Sequence, residues 1–148
     1  MVGFYVKDVM TPHEKIVGLK EDDTIDDVLK HYKAHYYHSF PVLDGDELKG
    51  VLGEDIVLIR LLYDYLDPKD FSLMLGQADI KNIDRYISEN VKNISSSPIT
   101  ISPEVKVEDA VALMIKQHVD RIMVTIDDKL VGVLSKRDII RKMIEHKT

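Results

Sequence analysis

The sequence predicts an α/β protein made of two diverged copies of one strand–helix–strand–strand–helix unit, with a short helical insert between them. Three observations predict it. The run Gly50-Val51-Leu52-Gly53 returns 82 residues later as Gly132-Val133-Leu134-Ser135, and self-similarity at a fixed spacing marks a duplicated structural unit. At the same spacing Asp27 matches Asp109, Ile25 matches Val107, Leu29 matches Val111, Asp46 matches Asp128 and Leu48 matches Leu130. Within each copy the apolar residues pass from helical spacing to short apolar runs and back to helical spacing, in the same order. Near the start the spacing drifts to 85, where Val6-Lys7-Asp8-Val9 resembles Val91-Lys92-Asn93-Ile94. The expected division is repeat one at 1–66, a helical insert or linker at 67–90, and repeat two at 91–148.

Each element has a local cause. Ile16-Val17 in the first copy and Ile99-Thr100-Ile101 in the second are short apolar runs that suit a short strand. Thr24 precedes Ile25, Val28, Leu29 and Tyr32, with Asp27 three residues on, which is an N-cap signature ahead of an amphipathic helix. The second copy has Val107, Ala110, Val111, Met114 and Ile115 at helical spacing, and the two helices end near His35 and His118. A hairpin follows: Asp44-Gly45 is a tight-turn signal between Phe40-Pro41-Val42-Leu43 and the strand that runs to Leu52. Asp127-Asp128-Lys129 serves the same purpose between Arg121–Ile126 and the strand that runs to Leu134. A second helix closes each copy, over about 54–66 and 135–146.

The first closing helix is apolar on nearly every side, through Ile56, Val57, Leu58, Ile59, Leu61, Leu62, Tyr63, Tyr65 and Leu66. A helix of that kind is buried all round. Either another subunit or the insert covers its outer side. In the insert, 71–75 and 80–91 read as one or two short helices, the latter with Ile83, Tyr86, Ile87 and Val91 on one face.

Composition narrows the function. The chain has 148 residues, no cysteine, 31% charged residues and a formal net charge of −6. Length suffices for a core without metal or disulfide staples. The missing cysteine excludes thiol catalysis, disulfides and cysteine-ligated metal. The acidic balance argues against non-specific nucleic-acid binding; the cluster Lys136, Arg137, Arg141 and Lys142 is the one basic patch and reads more simply as a helix end or a lure for phosphate. No apolar run approaches the ~20 residues that span a bilayer, and the opening residues show no signal-peptide pattern, so a cytoplasmic protein is expected.

The tandem unit resembles a pair of CBS domains, the module named after cystathionine beta-synthase. The residues that carry the resemblance are Val6-Lys7-Asp8-Val9-Met10-Thr11-Pro12, Phe40-Pro41-Val42, and Gly132-Val133-Leu134-Ser135-Lys136-Arg137-Asp138. The resemblance covers both copies. It implies packing about a pseudo-twofold axis, two clefts that bind adenosine-containing ligands such as AMP, ADP, ATP or S-adenosylmethionine, and a disc-shaped homodimer.

The residues support a ligand site in their own right. Ser135 ends a strand and Asp138 falls in the first turn of the next helix, where unpaired backbone N–H groups favour anions. A carboxylate there can accept hydrogen bonds from two vicinal hydroxyls, as in a ribose. Arg121, Lys136 and Arg137 add positive charge, and guanidinium suits phosphate in a bidentate way. Without a ligand the same two residues are a plain helix cap with a dipole-paired carboxylate. The resemblance places the purine pocket on the other copy, near Lys15, Ile16 and Val17 and along Tyr37, His38, Phe40 and Pro41. Tyr37 could stack on a base, His38 lies where the family sometimes has a basic residue, and core packing is the simpler reading of Phe40. The second cleft, with Ile99, Thr100, Gly53 and Asp55, is weaker. Gly53 replaces the serine, and Asp55 precedes the required position by one residue, a rotation of ~100° on a helix.

Other classes are weighed on the same residues. His31 and His35 are four apart on a helix, with His38 close behind, a spacing that can hold a metal, yet no HExxH arrangement accompanies them. No P-loop, nucleophile elbow or dinucleotide glycine pattern appears. The expectation is a regulatory, non-enzymatic module with no cofactor. It binds an adenine nucleotide or S-adenosylmethionine, forms a homodimer and signals to an unidentified effector protein. The alternative is a ligand-free scaffold for dimer or protein contacts.

Overall fold

The computed structural model describes residues 3–63 and 78–147. In chain order these form α1 (Val6–Val9), β1 (Thr11–Pro12), a 3-10 turn at His13–Lys15, β2 (Leu19–Lys20), α2 (Ile25–Ala34), β3 (Ser39–Asp44), β4 (Glu47–Gly53) and α3 (Glu54–Leu62). Then come α4 (Asn82–Tyr86), a 3-10 turn at Val91–Asn93, β5 (Thr100–Ile101), α5 (Val107–Gln117), β6 (Arg121–Ile126), β7 (Lys129–Ser135) and α6 (Lys136–Lys147). No described helix is long and apolar enough to cross a membrane.

The elements gather into two compact units that exchange their leading segments. One consists of Met1–Val17, Asp46–Leu48 and Pro98–Thr148, the other of Gly18–Gly45 and Lys49–Ser97. The residues ahead of the first copy therefore complete the second, and the residues between the copies complete the first. The same backbone bonds make both attachments. Val6 N–H donates to the carbonyl of Val105 (2.8 Å) and Val107 N–H to that of Phe4 (3.1 Å); in the other unit Val91 donates to Asp23 (2.8 Å) and Ile25 to Glu89 (3.1 Å). Each bond in one unit maps onto its counterpart by the sequence spacings of 82 and 85.

In the unit that holds the second copy, β5 runs parallel to β6 with Thr100 beside Met123, and β6 is antiparallel to β7 with Arg121 opposite Ser135. Strand β1 adds to the far side of β7, Thr11 facing Val133 and Pro12 facing Gly132. Behind the sheet Val6, Val107, Ala110, Met114, Ile122, Val124, Leu134 and Ile139 form one buried apolar cluster. Helix α5 ends on His118 in the left-handed conformation, φ 56°, where its N–H and that of Val119 close the last turn onto Ile115 and Met114. Both turn residues Asp127 (φ 50°) and Asp128 (φ 65°) are also left-handed, the geometry that fits the twist of a two-residue hairpin.

In the other unit β2 runs parallel to β3, and β4 is the next strand on. The strand expected at Ile16-Val17 lies three residues further on, at Leu19–Lys20. Gly18 precedes it, and a side chain there would meet Leu43 Cδ1 of β3 at 2.7 Å, so the glycine eases the approach of the two strands. Helix α2 begins as expected, with Thr24 Oγ1 accepting from Asp27 N–H (3.3 Å) and Asp27 Oδ2 accepting from Thr24 N–H (2.9 Å). The Thr24 N–H, and after it the Thr24 hydroxyl at 3.2 Å, donate to the Asp27 carboxyl and hold it below its ordinary range.

Helix α3 buries Val57 and Leu61. The end of the insert packs on it: Asn82, itself buried, donates to the Leu62 carbonyl at 3.1 Å, and Arg60 pairs with Glu89 at 3.1 Å while stacking on Tyr86. Of the two coverings weighed for α3, the insert supplies this one, and Leu58 stays 58% exposed. Helix α4 is shorter than the 80–91 pattern implied. The expected helical stretch 71–75 and residues 64–66 lie outside the described residues.

The repeated glycines explain how the exchange is possible. A Cβ on Gly132 would lie 2.6 Å from Met10 Sδ and 2.7 Å from the Thr11 carbonyl oxygen; on Gly50 it would lie 2.8 Å from Ser95 Oγ and 3.2 Å from the Ser96 carbonyl. Gly132→Ala must displace backbone and is expected to cost about 1–3 kcal/mol. Gly50→Ala mainly displaces a serine hydroxyl and is expected to cost less. Urea denaturation of both variants beside wild type checks the order; equal stabilities would refute the role given to Gly132.

Candidate functional site

The start of α6 is the most organised polar site in the unit of the second copy. Ser135 Oγ accepts from the backbone N–H of Asp138 (3.1 Å), and Asp138 Oδ2 accepts from the backbone N–H of Ser135 (3.1 Å). These reciprocal bonds are a capping box. Thr11 Oγ1 donates to the same carboxylate, 3.4 Å from each oxygen. Asp138 is thus held from its own helix and from β1. A carboxylate can accept about four hydrogen bonds, so acceptor capacity remains for a ligand's hydroxyls. The cap reading and the ligand reading are compatible here. Thr11 has no place among the sequence-derived site residues. It lies 127 positions from Asp138, and its one signal is the Met10-Thr11-Pro12 run.

The neighbouring charges are arranged unequally. Lys136 Nζ lies 3.3 Å from Asp120 Oδ1. Arg121 is half-buried opposite Ser135, and Arg137 is exposed. Against the same helix lies a cavity of about 210 Å³ lined by Asp8, Val9, Asp138, Arg141, Lys142 and Glu145. Lys15, exposed, ends the 3-10 turn, and Ile16 and Val17 follow it half-buried. Ile99 is half-buried and accepts from Met123 N–H at 3.1 Å, and Thr100 is exposed on β5.

The remaining sequence-derived residues belong to the other unit. Phe40 is fully buried, so only its backbone can face a ligand. Pro41 is buried beside it, and β2 pairs with β3 only from Val42 onward, past the residue that lacks an N–H. Tyr37 is half-buried with its ring 4.9 Å from that of Phe40 and 6.2 Å from His35. His31 packs on Phe40 and Tyr37, while His38 Nδ1 lies 3.4 Å from Glu54 Oε1. His31 and His35 therefore share Tyr37 as a ring neighbour, while His38 faces a carboxylate. Among the described residues no group of three or more His, Asp or Glu is arranged to hold a metal ion. Gly53 caps α3 without a side chain, and Asp55 is exposed in its first turn. Ile56 occupies the helical position that Asp138 has in α6.

Tyr32 sits in this aromatic cluster with its hydroxyl buried and without a hydrogen-bond partner among the described residues. Burial, and then the Glu54 carboxylate, push its phenol up to about 12. Tyr36 donates to Glu54, and that bond raises its phenol as well.

The family model of the CBS domain matches residues 6–63 and 91–145, so the chain belongs to the CBS-domain family. Uncharacterized protein MJ0188 of Methanocaldococcus jannaschii is 27% identical over 145 residues, covering 97% of this chain and 45% of its own. The chain spans less than half the length of the first curated relatives it matches. Among solved structures, CBSX2 of Arabidopsis thaliana in complex with AMP is 25% identical with a TM-score of 0.77, covering 99% of this chain and 100% of that one. The CBS domain of a bacterial CNNM/CorC family Mg2+ transporter in complex with ATP is 20% identical with a TM-score of 0.70, covering 95% and 87%.

The folded value of Tyr32 lies above the ordinary 10, so folding favours the neutral phenol. That contribution is whole below pH 10 and is lost as the pH rises through about 12. In an alkaline absorbance titration of the seven tyrosines, Tyr32 and Tyr36 are expected to ionise late, and Tyr32→Phe to remove the step near pH 12. Because its hydroxyl has no partner among the described residues, Tyr32→Phe is expected to leave stability unchanged or raise it by up to about 1 kcal/mol; a clear loss would show that the hydroxyl is bonded.

Proposed function

We propose that this chain is a regulatory ligand-sensing module that binds an adenosine-containing ligand at the start of α6. AMP, ADP, ATP and S-adenosylmethionine are the candidates. The observation that carries the reading is the Asp138 carboxylate, fixed by Ser135 and Thr11 with acceptor positions to spare. In this reading Asp138 takes the ribose hydroxyls. Arg121, Lys136 and Arg137 meet phosphate beside a helix N-terminus that already favours anions. Lys15, Ile16 and Val17, in the same unit as Asp138, serve the purine. The bound nucleotides of the CBSX2 and transporter structures support the ligand class.

The module carries no catalytic step in this reading; its output is a change in how a homodimer presents itself to an effector protein. The exposed apolar residues Ile140 and Met143 of α6 and Leu58 of α3 support an interface of that kind. The same residues favour the second reading, a ligand-free scaffold for dimer or protein contacts.

Isothermal titration with the four candidates, run on wild type and Asp138→Ala, tests the proposal. Binding near one ligand per chain is expected, weakened at least tenfold, or about 1.4 kcal/mol, in the variant. Loss of the cap costs about 1 kcal/mol of stability, which thermal unfolding separates from the binding effect. Undiminished binding by the variant refutes the site. Binding of none of the four leaves the scaffold reading.

A further inference from the structure

Equivalent positions in the two copies carry opposite charges. Helix α6 opens with Lys136 and Arg137; 82 residues earlier, α3 opens with Glu54 and Asp55. The first backbone N–H of each helix donates to a residue just before a strand, Lys136 to the Asp120 carbonyl (2.9 Å) and Glu54 to the His38 carbonyl (3.0 Å). The side chains of the same residues pair as well, Lys136 with Asp120 at 3.3 Å and Glu54 with His38 at 3.4 Å. One clamp therefore occurs twice with its polarity reversed. Arg121, one residue past Asp120, corresponds to Ser39. The first two positions of the helix that bears Asp138 are thus cations, and those of the other are carboxylates.

Glu54 is held where its charge matters. Tyr36 donates to it from one side and His38 faces it from the other. Its side chain is 31% exposed, so it is partly shielded from water. Its charge and that of Asp55 are felt by both nearby phenols. A helix N-terminus attracts anions through its unpaired N–H groups, but a fixed carboxylate at that end competes for those groups and repels a second anion.

We propose that Glu54, positioned by Tyr36 and His38, is a specificity-determining residue that bars phosphate-bearing ligands from the start of α3, so that the anionic part of a nucleotide is accepted at α6 alone. The inference rests on the nucleotide reading for what α6 binds. The exclusion at α3 is testable without it. Inorganic tripolyphosphate is the probe, because it needs no ribose or purine contact.

Backbone amide NMR of the full chain follows residues 54–57 and 136–139 during the titration. In wild type the amides 136–139 are expected to shift and 54–57 to stay still over the same concentrations. In the double variant His38→Asp, Glu54→Lys, which copies the Asp120–Lys136 pair, the amides 54–57 are expected to respond with apparent affinity at least about tenfold higher than in wild type. Glu54→Gln, which keeps the shape and removes the charge, is expected to change in the same direction to a smaller degree, and it decides the matter if the double variant fails to fold. Comparable wild-type affinity at the two helix starts overturns the proposal, as does an unchanged response of 54–57 in the folded variants. Silence at 136–139 with both tripolyphosphate and AMP counts against the nucleotide reading instead, and the comparison at 54–57 still stands.

Discussion

The structure depends on the close approach of two backbones over a glycine. The carbonyl of Thr11 passes over Gly132 at a distance no side chain would permit, and that of Ser96 comes within 3.2 Å of where a Cβ on Gly50 would lie. This contact lets the segment that precedes each copy add to the last strand of the other copy's unit. The four-residue helix α1 and β1 are too short to hold structure alone, since an isolated turn orders several dihedrals for one hydrogen bond. They are ordered because Val6 is buried in a core built from Val107, Met114 and Leu134, and because the backbone bonds to Val105, Pro103 and Val133 leave few donors unsatisfied.

The same attachment shapes the candidate site. Asp138 and Ser135 would form a helix cap in any chain with this local sequence. The delivery of Thr11 by β1 adds a donor from a remote segment and fixes the carboxylate from a second direction. In the first copy the corresponding places hold Ile56, Gly53 and Ser96, so the scaffold repeats and the polar triad does not. Duplication has kept the backbone bonds and released the side chains. The charge reversal between Glu54–His38 and Lys136–Asp120 is the clearest case.

The proposed reading is regulation through ligand occupancy. A reporter of that kind needs a well-held polar anchor and a surface that others can read. Asp138 supplies the first. The exposed apolar residues of α3 and α6 suit the second, and part of α3 is already covered by the insert through Asn82 and Arg60.

Much of this protein was legible from the chain alone. The repeat of Gly-Val-Leu, the Thr24–Asp27 cap, the Asp-Gly turn and the helical apolar spacing are local patterns, and local patterns are set by dihedral preference and by which side of an element meets apolar surface. They located α2, α5, both hairpins and both closing helices, and they singled out Ser135 and Asp138. What they could not show is partnership across the chain. Nothing local says that residues up to Val17 complete the second copy, that Thr11 meets Asp138, or that β2 lies at Leu19–Lys20 rather than at Ile16-Val17. Those outcomes follow from packing, where burial of Val6 and the empty space above Gly132 decide which distant segments can lie together, and only the tertiary structure contains that information.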